Sequence, residues 1–231
     1  MPQRDIAHNL AAVRERIAAA AARAGRDAAG ITLVGVTKYV DAEAARALVA
    51  AGCADLGENR PQELWNKAEA LAGLPVRWHL VGHLQRNKVR RTLPLVSLIH
   101  SADSLRLIAA IEQTAAELGR RVPVLLEVNV SGEPAKHGFA PAEIEPLLPE
   151  LAGCRHAEVG GLMCMAALEG GPDAARRDFA ALRQLRDRLR ANCPAEISLD
   201  ELSMGMSGDY EAAVAEGATL VRIGSALFAG A

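Results

Sequence analysis

The chain has 231 residues, half of them apolar but only 3% aromatic, so its core must be assembled from Ala, Val, Leu and Ile. A formal charge of −2, with acids and bases interspersed, gives no electrostatic case for nucleic acid or an anionic membrane as partner. Arg4, Asp5, Arg14, Glu15 and Arg16 break the N-terminal apolar pattern, which argues against a signal peptide or anchor and for a cytoplasmic protein.

Apolar positions at Ile6, Leu10, Val13, Ile17 and Ala21 predict a helix over residues 4–24, closed by Gly25. The chain then alternates. Strand-like runs fall at Ile31–Thr37, Cys53–Leu56, Val76–Val81, Leu95–His100, Val122–Val130, Ala157–Met165, Glu196–Leu202 and Thr219–Ile223. Helical stretches fill the gaps near 41–51, 61–72, 85–92, 103–119, 141–152, 173–191 and 207–216. Phe179, Leu182, Leu185 and Leu189 form the clearest apolar stripe among them. No linker or shift in composition divides the chain, so residues 1–231 read as one domain. Eight strands separated by helices, behind one extra helix, fit a single (β/α)8 TIM barrel of the α/β class. An open doubly wound sheet fits less well, because no G-x-G-x-x-G follows the first strand.

Such a barrel builds its site at the C-terminal ends of its strands. Lys38 follows the apolar run ITLVGVT and is one of only four lysines in the chain. An amine held against an apolar interior is freed to attack an aldehyde. A lysine there can equally snorkel to the rim or pair with Glu58. The loops after strands seven and eight commonly hold phosphate in this architecture. There Ser203 and Ser207 offer hydroxyls, and Gly205 and Gly224 let backbone N–H groups approach an anion. Ser207 also suits an N-cap of the helix that follows. Arg222, near the end of an apolar strand, needs a partner: a carboxylate such as Asp200 or Glu201, or a pyridine nitrogen to which it would donate.

Other candidates carry less. His79 and His83 are four residues apart but lack a third ligand, and Cys53, Cys154, Cys164 and Cys193 show neither C-x-x-C pairing nor zinc spacing. No metal site is expected. Arg86, Lys88, Arg90 and Arg91 read as a solvated helix face. Met204 and Met206 are placed either in the core or against a flat ring.

The segments GVTKYV, LGENRPQEL, WHLVGHLQRNK, LEVNVSGEPAKHGF, GLMCMAA and LSMGMSGDYEAAVAEGATLVRIGSALF resemble, in this order, the pyridoxal phosphate homeostasis (proline-synthase co-transcribed) family from about residue 31 onward. The resemblance implies the barrel of alanine racemase without its second domain, a fold-type III pyridoxal-phosphate barrel. It implies pyridoxal 5′-phosphate as cofactor, carried on Lys38 as a Schiff base, with Asn59 near the ring and Arg222 facing the pyridine nitrogen. Ser203, Ser207, Gly224 and Ser225 would surround the phosphate. The implied role is to bind, buffer and deliver the cofactor without robust turnover, and so with no catalytic residue; apo-enzymes that use the cofactor would be recipients. Arg60–Pro61 and Cys164–Met165 depart from the family pattern at the entrance and ring contacts.

A racemase needs a second acid/base group on the opposite substrate face. Tyr39 is expected on the other side of its strand from Lys38, and Tyr210 on a helix. A slow amino-acid racemase and a Schiff-base aldolase are the competing activities. Lys136, in the loop after strand five, is either a solvated loop lysine or a transient acceptor of the aldehyde. The expected state is a monomer or weak dimer.

Overall fold

The computed structural model describes residues 2–167 and 170–230; Met1, Leu168, Glu169 and Ala231 of the expected 1–231 domain lie outside the described residues. Eight parallel strands close into a barrel in chain order: β1 (Thr32–Val36), β2 (Asp55–Glu58), β3 (Arg77–Leu80), β4 (Val96–Ala102), β5 (Val122–Glu127), β6 (Ala157–Met163), β7 (Glu201–Ser203) and β8 (Leu220–Ile223). β8 pairs back onto β1 with Thr32 opposite Leu220 and Gly35 opposite Ile223, which completes the ring.

The helices are α1 (Pro2–Arg23), α2 (Ala42–Ala50), α3 (Pro61–Ala70), α4 (Val89–Thr92), α5 (Leu105–Glu117), α6 (Pro141–Ala152), α7 (Gly171–Arg190), α8 (Tyr210–Ala215) and α9 (Ser225–Phe228). Their starts follow local chemistry. Asp41 caps α2 through the Ala44 N–H and Ser104 caps α5 through the Leu107 N–H. Pro61 and Pro141 stand in the first turns of α3 and α6, where a missing N–H costs nothing. None of the described helices is long and apolar enough to cross a membrane.

Several strand bounds differ from their sequence expectation: β5 ends at Glu127 instead of Val130 and β6 at Met163 instead of Met165. β2 runs two residues later, so that Glu58 ends it. β7 is only three residues long, because Leu199 takes a left-handed φ of 49° that interrupts the extended run before Glu201. The short helix α9 was not expected.

The main core lies between barrel and helices. Inside the barrel a small apolar cluster, Val34, Leu125, Met163 and Leu220 with Leu98 against it, packs separately. Alternation along a strand then dictates what else points inward: two residues beyond Leu98, Leu125 and Leu220 come His100, Glu127 and Arg222. All three are buried.

α1 covers the seam near the chain's end. Ile6, Leu10, Val13 and Ile17 are buried, and Asn9 Nδ2 donates to the carbonyls of Leu227 at 3.2 Å and Ala229 at 3.0 Å.

Candidate functional site

The barrel mouth opens into a cavity of about 790 Å³, lined among others by Lys38, Asn59, Glu127, Ser207, Arg222 and Gly224. Five strand ends thus converge on one space, as expected of this architecture.

Lys38 lies two residues past the end of β1 and is exposed, not pressed against the barrel interior. The chain turns there, with the Val40 N–H bonded to the Thr37 carbonyl at 3.1 Å. That turn also corrects the expectation for Tyr39. Strand alternation has already ended, so Tyr39 lines the same cavity, 87% exposed, with the Lys38 Nζ 4.8 Å from its ring centre. Nor does Lys38 pair with Glu58: the carboxylate Oε1 accepts instead from Lys67 Nζ and from the Thr37 hydroxyl, each at 2.6 Å, in a buried pocket behind the strand.

Arg222 is buried, and neither Asp200 nor Glu201 is its partner. One guanidinium nitrogen donates to Ser203 Oγ at 2.5 Å and another to the Cys164 carbonyl at 2.8 Å. Burial lowers its pKa, against the fields of Cys164, Asp209 and Glu127.

Ser203 and Ser207 part company. Ser203 is the last residue of β7 and points into the barrel, fully buried, its hydroxyl engaged with Arg222 and His100. It does not face the anion loops, because the strand's alternation carries it inward. Beyond it Gly205 adopts φ 91°, which reverses the chain and sends Ser207 to the mouth. Ser207 does not cap α8; that position belongs to Asp209, whose Oδ1 accepts the Met206 N–H at 2.5 Å. Ser207 Oγ instead accepts the N–H groups of Gly224 at 3.2 Å and Ala226 at 3.3 Å. A Cβ at Gly224 would stand 3.2 Å from the Val36 carbonyl, so the backbone there packs as only glycine comfortably allows. With its oxygen accepting these two N–H groups, the Ser207 hydroxyl keeps its own proton to donate, a donor suited to a phosphate oxygen at the cavity wall. Met206 lines the cavity, whereas Met204 belongs to the core.

The alanine racemase N-terminal domain family matches residues 5–231. The chain is 41% identical over 219 residues to the pyridoxal phosphate homeostasis protein of Aquifex aeolicus, covering 95% of each. It is also similar to the solved structure of PipY of Synechococcus elongatus PCC7942 with pyridoxal phosphate bound, at 37% identity and TM-score 0.86, over 96% of this chain and 99% of that one. The chain belongs to the pyridoxal phosphate homeostasis protein family. The family match begins within α1, earlier than the resemblance from residue 31 suggested. Alanine racemase of Clostridium difficile 630 shares the fold, with TM-score 0.74 at 18% identity over 96% of this chain and 56% of that one.

In this family member one buried acid escaped the sequence reading. Glu127 lines the cavity, and its carboxyl is pushed up to about 7, by burial first and by Asp103 next, while Arg222 and His83 oppose the shift. The signal was present in its spacing from Leu125, which faces inward.

Among the described residues, one grouping brings candidate metal ligands together: atoms of His83, Asp103 and His137 lie within 4.8 Å of one another. The two imidazoles stack with centres 4.9 Å apart and planes at 17°. Near-parallel stacked rings do not aim their in-plane lone pairs at one point, so a shared ion would require one ring to turn. His79 joins neither histidine; it lies inside the barrel.

Lys136 is neither a solvated loop lysine nor a free amine. Its Nζ is 2.9 Å from Glu133 and donates to Ser131 Oγ and the Ala166 carbonyl, each at 3.0 Å, fastening the loop after β5 to the one after β6. Of the basic run, Arg86, Arg90 and Arg91 are exposed, as a solvated face requires, with Arg90 paired to Glu117 and Arg91 over the Trp65 ring. All four cysteines are free, and burial pushes Cys164 up to about 12.

Proposed function

We propose that residues 1–231 act as one unit that holds pyridoxal 5′-phosphate at the barrel mouth and buffers it for apo-enzymes, without robust turnover. A single observation carries the reading. An exposed amine (Lys38), a buried guanidinium (Arg222) and a glycine turn with a hydroxyl (Ser207, Gly224) line one cavity of about 790 Å³. These are the three groups that an aldehyde, a pyridine nitrogen and a phosphate would each require. The cofactor binding named for the Synechococcus relative supports the same reading.

The roles follow from chemistry. Lys38 takes the aldehyde as a Schiff base. Ser207, through its hydroxyl proton, and the Ser225 N–H take the phosphate beside Gly224, whose own N–H is held by the Ser207 oxygen. Asn59 lies beside the ring, and Arg222 donates to its nitrogen. Ser203 belongs behind Arg222 instead of at the phosphate. When bound, the group supplies an electron sink, and a nitrogen that only accepts from arginine makes that sink weak. This supports a carrier over an amino-acid enzyme.

A slow racemase is the second reading, and Glu127 is what favours it, since a carboxyl titrating near neutrality in the same cavity could move a proton. Purified protein mixed with pyridoxal 5′-phosphate should gain a visible band that borohydride discharges and Lys38→Ala lacks. A protein that stays colourless overturns both readings and leaves a direct Schiff-base aldolase. Turnover of any amino acid well above the free-cofactor background promotes the racemase.

A further inference from the structure

We infer that Asp55, His79, His100 and Ser203 are positioning residues that form one oriented hydrogen-bond chain through the barrel, fixing the Arg222 guanidinium and serving as its remote counter-charge. The contacts are continuous. Arg222 donates to Ser203 Oγ at 2.5 Å, Ser203 Oγ lies 2.7 Å from His100 Nδ1, His100 Nε2 lies 2.9 Å from His79 Nδ1, and His79 Nε2 lies 3.1 Å from Asp55 Oδ1. Four strands, β8, β7, β4 and β3, are joined in this way to the first residue of β2. The side chains of all five residues are buried or nearly so.

Donor and acceptor roles are settled from the two ends. A carboxylate only accepts, so His79 carries its proton on Nε2 and presents Nδ1 as acceptor. His100 Nε2–H fills that acceptor, which leaves His100 Nδ1 to receive the Ser203 proton. Ser203 Oγ then has a lone pair for Arg222, which only donates. The reverse order fails: Ser203 would accept from both sides, its own proton would have no partner, and His79 would have to carry two. Burial holds His100 far below the ordinary imidazole range, in keeping with a neutral link. Asp55 stays ionised. Burial pushes it up, but the hydrogen bonds from His79 and Arg77 outweigh this and bring it down to about 2.

The chain answers a physical need. A buried guanidinium without a carboxylate in contact is costly. Aligned hydrogen bonds polarise one another in a low-dielectric interior, so a carboxylate at the far end favours charge at the near end. The Ser203 oxygen that accepts from Arg222 is therefore oriented from the base of the barrel, where Asp55 and Arg77 border a cleft of about 500 Å³.

Its effect on a bound ring rests on the proposed function; its existence does not, and the test separates the two. In protein without cofactor, 15N NMR of labelled histidine should give both His79 and His100 as Nε2–H tautomers. An Nδ1–H His100, or an imidazolium there, overturns the inference on wild-type protein alone. With pyridoxal 5′-phosphate as probe, Asp55→Asn keeps an acceptor but removes the charge. It should bind roughly threefold to tenfold more weakly, with a shifted visible band, the size expected when a charge-assisted chain becomes neutral. Arg77→Gln removes the surface partner of Asp55 and should match wild type. Equal losses in both variants, or none in Asp55→Asn, would sink the counter-charge role. If wild type takes up no cofactor, the proposed function fails while the NMR result still decides the chain.

Discussion

The Lys67 ammonium donates to the backbone carbonyl of Thr37 at 2.6 Å, and Thr37 is the residue immediately before Lys38. Glu58 closes the contact by accepting from both Lys67 and the Thr37 hydroxyl. The backbone just before the Lys38 side chain is thereby pinned to β2 and α3 by a buried ion pair, while the Lys38 amine itself is left exposed.

Lys67→Met strands the Glu58 carboxylate in an apolar setting and should cost about 3–5 kcal/mol, the usual penalty for removing one partner of a buried pair. Lys67→Met with Glu58→Gln should recover much of it. Denaturant unfolding of the two variants measures the difference, and trapping with borohydride should be slower in the single variant. A single variant as stable as wild type would refute the pinning.

Glu127 makes stability depend on pH in an unusual direction. Folding raises its carboxyl from 4.5 to about 7, so between those values the native state keeps a proton that the unfolded chain has released. This contribution is full below the unfolded value and is lost as pH rises to about 7, beyond which it stays lost. Glu127→Gln should remove that decline and stabilise the protein above neutrality by up to about 3 kcal/mol. Unfolding curves across the window test it, and parallel profiles for the two proteins would count against it.

Ser207→Ala removes the acceptor that holds the Gly224 and Ala226 N–H groups. A stability loss of about 1 kcal/mol is expected. The more telling measurement is preference: the variant should discriminate less between pyridoxal 5′-phosphate and unphosphorylated pyridoxal. Ser203→Ala should keep that preference, since its hydroxyl faces Arg222.

Gly205→Ala asks a side chain to adopt φ 91° with its Cβ 2.5 Å from that of Ala213 and 3.0 Å from the Tyr210 Cα. A cost of about 1–3 kcal/mol is expected from the backbone conformation alone. Because the Gly205 carbonyl accepts the Arg222 N–H at 3.0 Å, cofactor affinity should fall along with the melting temperature.

Strand count, helix order and barrel closure were legible because apolar runs and helical stripes carry them directly. The convergence of Lys38, Asn59, Ser207, Arg222 and Gly224 on one mouth was also legible, since position at a strand end fixes it. The two serines of SMGMS were not separable. Only the reversal at Gly205 sends one inward and the other out, and a backbone angle leaves no trace in composition. Tyr39 was misplaced for the same reason, since alternation was carried one turn too far past Val36. The chain from Arg222 to Asp55 joins five strands in pairs 19 or more positions apart. Register decides such contacts, and a single sequence does not reveal register.

The hydrogen bonds of Asn9 to Leu227 and Ala229 tie the leading helix to the very segment whose first turn borders the phosphate-compatible loop. A shortened version starting at β1 would keep every strand yet strip the apolar lid from α9 and leave its terminal carbonyls unclaimed. The eight-stranded ring is thus a poor choice of minimal fragment, and fusions that perturb the leading helix should loosen anion capture without touching a single contact residue.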